Sequence, residues 1–466
     1  GHSAGGLAAI RGAQYFGDLA KKTSSESKLH SVFVSGMIRM GFKSKDIKKI
    51  KSNIGLSYAL YDEGAWQNKL GNGDMRFAPE CLGLINHQIN NGTSLDSIEI
   101  GQYYGELSDR TLSVVHNEKV LHPFQPYSTK VIANQINFFL KTFNINDSIS
   151  AKDQVWYWKE FMTLIAMICS FVLIIPIAKY LLSLPYFSKL VNPIPNAIPK
   201  PEKAGKYIFW LTIVVSSIVA CVSFIPLSEL SKVLFSQASN RNQTWFFPQR
   251  MNNAVMLWAS FNGLFGLFLF FGSYHIFGKN NGVDPKLWGL SIKKSALFKT
   301  LILGITIFVF YFMLMNMIYY LFHVDYRFVF ISVRTFRPIT LLLIPMYLPF
   351  FFIFFLSNSI RVNSSLRIEG HGGLKSMLLY SLSTASGLII ILLIQYITFW
   401  LTGNVFWKEG WLYVNLLFGI IPIILILPLF HHSFFNLTGS VYLGPITMSL
   451  IFITILLSNT VCYFPL

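Results

Sequence analysis

Two patterns of hydrophobic and polar positions divide this chain. From Phe161 onward, apolar runs of about 20 residues recur, each long enough to cross a hydrocarbon core roughly 30 Å thick as a helix. Eight such runs can be marked, at 161–182, 207–228, 253–277, 297–322, 338–358, 376–401, 411–434 and 440–464. Before residue 150 the pattern changes scale, and short apolar stretches alternate with polar turns. Positions 7–10 and 13–16 predict a small-residue helix, 30–36 a buried strand, 53–60 a second strand and 111–115 a last one. Ser128 is placed to cap a final helix through Val131, Ile132, Ile136, Phe138 and Phe139. The predicted organisation is a globular α/β domain over 1–150 followed by an all-α polytopic membrane domain of about eight helices over 151–466.

Composition sharpens this division. At 466 residues the chain is 53% hydrophobic and 16% aromatic, too apolar for an ordinary soluble protein. Its net charge of +17 is not a nucleic-acid footprint, because residues 161–466 hold 20 Lys/Arg against 6 Asp/Glu, in loops or near the ends of the runs. The implied partner is a lipid bilayer, and nucleic acid is excluded. Thirteen of these basic residues follow runs 1, 3 and 5, against seven after runs 2, 4 and 6. The positive-inside rule then makes the first set cytoplasmic and leaves the globular domain on the extracytoplasmic face. Cys81, Cys169, Cys221 and Cys462 show no paired spacing, so no disulfide framework or zinc site is predicted.

The candidate chemistry lies in the globular part. Gly1-His2-Ser3-Ala4-Gly5-Gly6 has the G-x-S-x-G form of a nucleophile elbow, a sharp turn into a helix that exposes a serine Oγ. The flanking glycines suit a turn with little room for a Cβ. A serine nucleophile needs a base for its proton and a carboxylate to orient that base. Tyr61-Asp62-Glu63-Gly64 follows the second strand, at the edge where ligands gather on an open α/β sheet, so Asp62 is the candidate acid and Glu63 its alternative. His122, in the loop before the final helix, is preferred as base to His116, which lies nearer the strand. His2 is expected to shape the elbow, and His30 and His87 have no partner pattern. The 64–109 connection is longer than a crossover needs, and its aromatic content fits a lid, an acyl-pocket wall or a surface elaboration.

In this order, Gly1-His2-Ser3-Ala4-Gly5, Tyr61-Asp62-Glu63 and His122-Pro123-Phe124-Gln125-Pro126-Tyr127-Ser128 resemble the C-terminal half of an α/β-hydrolase domain of the dienelactone-hydrolase-like or esterase type. The resemblance covers about 145 residues and implies Ser3 as nucleophile, Asp62 as orienting acid and His122 as base. It also implies the Ala4 N–H as one oxyanion donor, and no metal or organic cofactor. The expected substrate is a small-molecule or lipid acyl compound, and no oligomeric state is implied. Because the fold needs strands before the elbow, the chain is expected to be the C-terminal portion of a longer protein.

The rival expectation is a membrane transporter or lipid-handling protein with a regulatory or inactive hydrolase-like domain. Against a proton-coupled carrier, Glu202, Glu229, Asp284, Asp325, Glu369 and Glu409 all lie in or near loops. The run interiors offer Asn262, Asn316, Gln395 and Asn415, which suit helix–helix contacts, and His431-His432 reads as interfacial. The missing strands predict that residues 1–466 alone do not hydrolyse esters. Purified chain and full-length protein assayed side by side test this, and equal rates would refute it.

Overall fold

The computed structural model describes residues 1–38, 44–89, 94–146, 148–334, 338–370 and 372–465. Two compact units form: Gly1–Tyr157 with Gln395–Leu412, and Trp158–Ile394 with Tyr413–Leu466.

The first unit is built on a mixed sheet. Among the described residues its strands are β1 (Ser31–Ser35), β2 (Asn53–Tyr61), β3 (Tyr103–Tyr104) and β4 (Ser113–Leu121), ordered β1-β2-β4-β3. β1, β2 and β4 run parallel, and the short β3 closes the edge antiparallel to β4. Strand alternation sorts the core into two layers. Val32 and Val34 pack with Leu7 and Ile10 of helix α1 (Ala4–Thr23) and with Cys81, Leu84 and Ile85 of helix α2 (Pro79–Ile89). Phe33 points the other way, onto Val114 and Phe138 of helix α3 (Thr129–Thr142). The α3 N-cap is Ser128, whose Oγ accepts from the Val131 N–H at 3.5 Å. Within the 64–109 connection, α2 contributes Cys81, Leu84 and Ile85 to this core.

One strand is longer than its composition predicts. β4 runs to Leu121 rather than ending at Val115, so His116 lies inside it. The polar run 116–119 resembles a loop, but tertiary partners satisfy Asn117 and Glu118 within it. Asn117 Nδ2 donates to the Tyr58 and Gly73 carbonyls, both at 2.9 Å, and Glu118 accepts from Ser57 Oγ at 2.9 Å and Asn134 Nδ2 at 2.8 Å.

In the second unit helices dominate. Among the described residues of the whole chain, seven helices are long and apolar enough to cross a membrane, which marks an integral membrane protein. The eighth apolar run behaves differently. It is helical only over Leu443–Asn459, 17 residues, and nearly every side chain from Leu443 to Ile455 is buried by protein. A helix apolar on all faces is expected at the centre of a bundle as much as in lipid, and hydropathy does not separate the two. His431 is likewise buried by protein, at 1% exposure. Polar groups in this unit mostly join helices: Trp258 Nε1 donates to the Ala220 carbonyl at 2.9 Å, Tyr347 to Asn253 Oδ1 at 2.6 Å, and Asn262 to Ser223 at 3.1 Å.

Phe138 is fully buried, whereas Tyr15 on α1 is 65% exposed. Phe138→Ala is expected to destabilise the first unit by about 3–5 kcal/mol. Tyr15→Ala should change it by at most about 0.5 kcal/mol. Limited proteolysis of the 1–157 region against urea concentration reads both.

Candidate functional site

Three residues meet because each follows the last sheet-paired residue of its segment. His2 bridges Ser35 of β1 in parallel, with the Ser35 N–H on the Gly1 carbonyl at 2.9 Å and the Ser3 N–H on the Ser35 carbonyl at 2.8 Å. The chain then turns at once into α1. β2 and β4 pair through Tyr61 and Leu121, so Asp62 and His122 emerge side by side at the same sheet edge. His122 Nδ1 lies 2.6 Å from Asp62 Oδ2, and His122 Nε2 lies 3.0 Å from Ser3 Oγ. A carboxylate only accepts, so Nδ1 carries the hydrogen and Nε2 of the neutral ring is left to accept from the serine hydroxyl.

Ser3 occupies a backbone conformation that L-residues rarely adopt, with φ 53° and ψ −118°. Such a conformation costs about 1–3 kcal/mol and persists only when its surroundings enforce it. The elbow's glycines do not contribute equally. A Cβ on Gly1 would lie 2.3 Å from the Gly5 carbonyl oxygen, and one on Gly6 would lie 2.8 Å from that of Ser35. A Cβ on Gly5 would meet nothing within 4 Å, so the last glycine of the G-x-S-x-G string is dispensable here and the next one is not. Ala4 opens α1, where a first-turn N–H has no acceptor within the helix. Its amide is thus available beside Ser3 Oγ.

The acid and base alternatives separate by their contacts. Asp62 accepts from His122, from the Gly64 N–H at 2.8 Å and from the Tyr58 hydroxyl. Glu63, 1% exposed, instead takes the backbone N–H of His122 at 3.0 Å on one oxygen and the Tyr396 hydroxyl at 2.7 Å on the other. Burial raises the Glu63 carboxyl above its ordinary range, and the Tyr396 bond partly offsets this. His116 is paired opposite Ser57 within the sheet and stacks at 6.4 Å on Phe33; burial lowers its pKa to about 4. His2 packs its ring 4.8 Å from that of His122 and is also lowered to about 4, first by burial and then by His122 itself. It stays neutral against His122.

Burial opposes charging of His122, but the Asp62 charge and hydrogen bond, with Glu63 behind them, raise its pKa above the ordinary 6.5. A cleft of roughly 670 Å³ lies on the acid side, lined by Asp62, Glu63, Trp66, Tyr396, Phe399 and Trp400 among others, while Ser3 and His122 are not among its lining.

Tyr58, Tyr396 and Trp411 were not foreseen. Trp411 meets the His122 ring edge-on at 5.5 Å. Tyr58 follows a strand pattern like any core tyrosine, and the other two sit at the ends of apolar runs more than 270 residues from His122 in sequence. No local signal marks them.

The base must be neutral to take the serine proton, and its pKa is raised. Reactivity of Ser3 is therefore expected to be lost below, and to rise with pH through, a midpoint above 6.5. A pH profile of covalent labelling at Ser3 checks this, and a midpoint below 6.5 contradicts it. Comparison of the chain with protein-family models, curated proteins and solved structures finds no match to any of them.

Proposed function

We propose that this chain is a membrane-integrated serine hydrolase that cleaves an ester or related acyl bond. The observation that carries the reading is the continuous line Ser3 Oγ–His122–Asp62, at 3.0 and 2.6 Å, with the serine held at positive φ. The parallel order of the elbow segment, β1, β2 and β4, with α1 and α3 on opposite faces, is compatible with an α/β-hydrolase-like setting.

In this mechanism His122 Nε2 takes the Ser3 proton as Oγ attacks the acyl carbonyl. Asp62 holds the imidazole tautomer and stabilises the imidazolium that forms. The Ala4 N–H donates to the oxyanion, an interaction worth about 3 kcal/mol per donor in a well-formed site. His122 then gives its proton to the leaving group, and water, activated in the same way, releases the acyl group from Ser3. The expected substrate is a small-molecule or lipid acyl compound met at the bilayer, on the extracytoplasmic face if the loop charges set the orientation.

The test is labelling of the full-length protein in membranes with a fluorophosphonate, wild type beside Ser3→Ala. Label on wild type and none on the variant is the expected result. Asp62→Asn should slow labelling by about 10⁴-fold through the wrong imidazole tautomer, while His116→Gln leaves it within about twofold. A folded wild type that does not label would overturn the hydrolase reading and turn attention to a transport or lipid-handling role.

A further inference from the structure

The buried Glu63 has no role in the Ser3–His122–Asp62 line, yet it is among the most constrained carboxylates in the first unit. One oxygen holds the His122 backbone and the other the Tyr396 hydroxyl. Tyr396 and Trp411 both come from Gln395–Leu412, the segment made of the end of one apolar helix, a loop and the start of the next. They reach His122 from two directions, Tyr396 through Glu63 and Trp411 directly against the ring. We infer that Tyr396 and Trp411 are positioning residues for the base, so that the 395–412 turn is a working part of the catalytic site. This rests on the hydrolase reading above.

The physical case follows from what each contact controls. A backbone N–H held by a carboxylate is a charge-assisted bond, stronger than a neutral one, and it sets where the His122 main chain lies as it leaves β4. The Tyr396 hydroxyl bond favours the charged form of Glu63 against the burial that disfavours it, and the Glu63 charge in turn favours protonated His122. The titratable groups facing this pair include Asp62 and His2 at His122, and Asp62, Tyr58 and Tyr396 at Glu63. Trp411 acts by a different route: its ring shields His122, whose residue is 7% exposed, and fixes the imidazole plane. The two residues therefore push the base in opposite senses. Loss of Tyr396 lets Glu63 neutralise and makes His122 harder to protonate. Loss of Trp411 admits water and makes His122 easier to protonate.

The experiment is hydrogen–deuterium exchange at the His122 imidazole carbon, read by mass spectrometry against pH in the full-length protein, beside fluorophosphonate labelling of the same samples. Tyr396→Phe and Glu63→Gln are expected to move the His122 midpoint to lower pH, and the double variant no further. Trp411→Ala should move it to higher pH, with Trp411→Phe restoring it. Labelling should slow on the order of tenfold in Tyr396→Phe and Trp411→Ala through misplacement of the base. An unmoved midpoint in folded Tyr396→Phe and Glu63→Gln protein would overturn the inference, as would shifts of one sign in all variants. If wild type fails to label but the midpoints move as stated, the hydrolase reading falls and the coupling to 395–412 stands.

Discussion

The parallel pairing of β2 with β4 is the constraint on which the site depends. Its register ends with Tyr61 opposite Leu121, and the next residues of the two strands are Asp62 and His122. Parallel strands point their C-terminal ends the same way, so residues 60 positions apart in sequence leave the sheet at one edge. β1 adds the third element by bridging His2 through Ser35, which aims the elbow at the same edge. A slip of one residue in the β2–β4 ladder would send Asp62 or His122 to the opposite face. Side-chain bonds resist such a slip, among them Asn117 on the Tyr58 and Gly73 carbonyls and the buried Ser57 on Glu118.

Around this edge the polar groups are organised in two tiers. Asp62 takes His122, the Gly64 amide and Tyr58, leaving it little freedom to turn. Glu63 takes the His122 backbone and Tyr396. Adjacent carboxylates thus do different work, one on the imidazole and one on the main chain that carries it. Two buried acids so close would repel, and each is accommodated by its own set of donors. The apolar packing of α1, α2 and α3 supplies the rigid frame in which these bonds stay short and the Ser3 backbone stays strained.

Much of this was legible in the residues. The elbow string, the carboxylates after a strand and the histidine before a capped helix single out Ser3, Asp62 and His122 as candidates, because strand ends and caps are written locally. Apolar runs likewise mark the membrane-crossing helices, since length and hydropathy are properties of a segment. Other features were hidden for equally physical reasons. The end of β4 looked like a loop because Asn117 and Glu118 find their partners on distant segments, not on neighbours in sequence. The last apolar run looked like a span because a helix wrapped by protein and one wrapped by lipid need the same composition.

The sequence by itself therefore determined which residue types were available at each strand end, and which segments are apolar enough to lie in a bilayer. Only the tertiary structure decided that Asp62 rather than Glu63 meets the imidazole, that His122 rather than His116 meets Ser3, and that Gly6 rather than Gly5 is sterically required. It alone brought Tyr396 to Glu63 and Trp411 to His122, across more than 270 residues of chain. The reason is that each of these choices is made by register and packing between distant segments, and no local pattern encodes the distance between them.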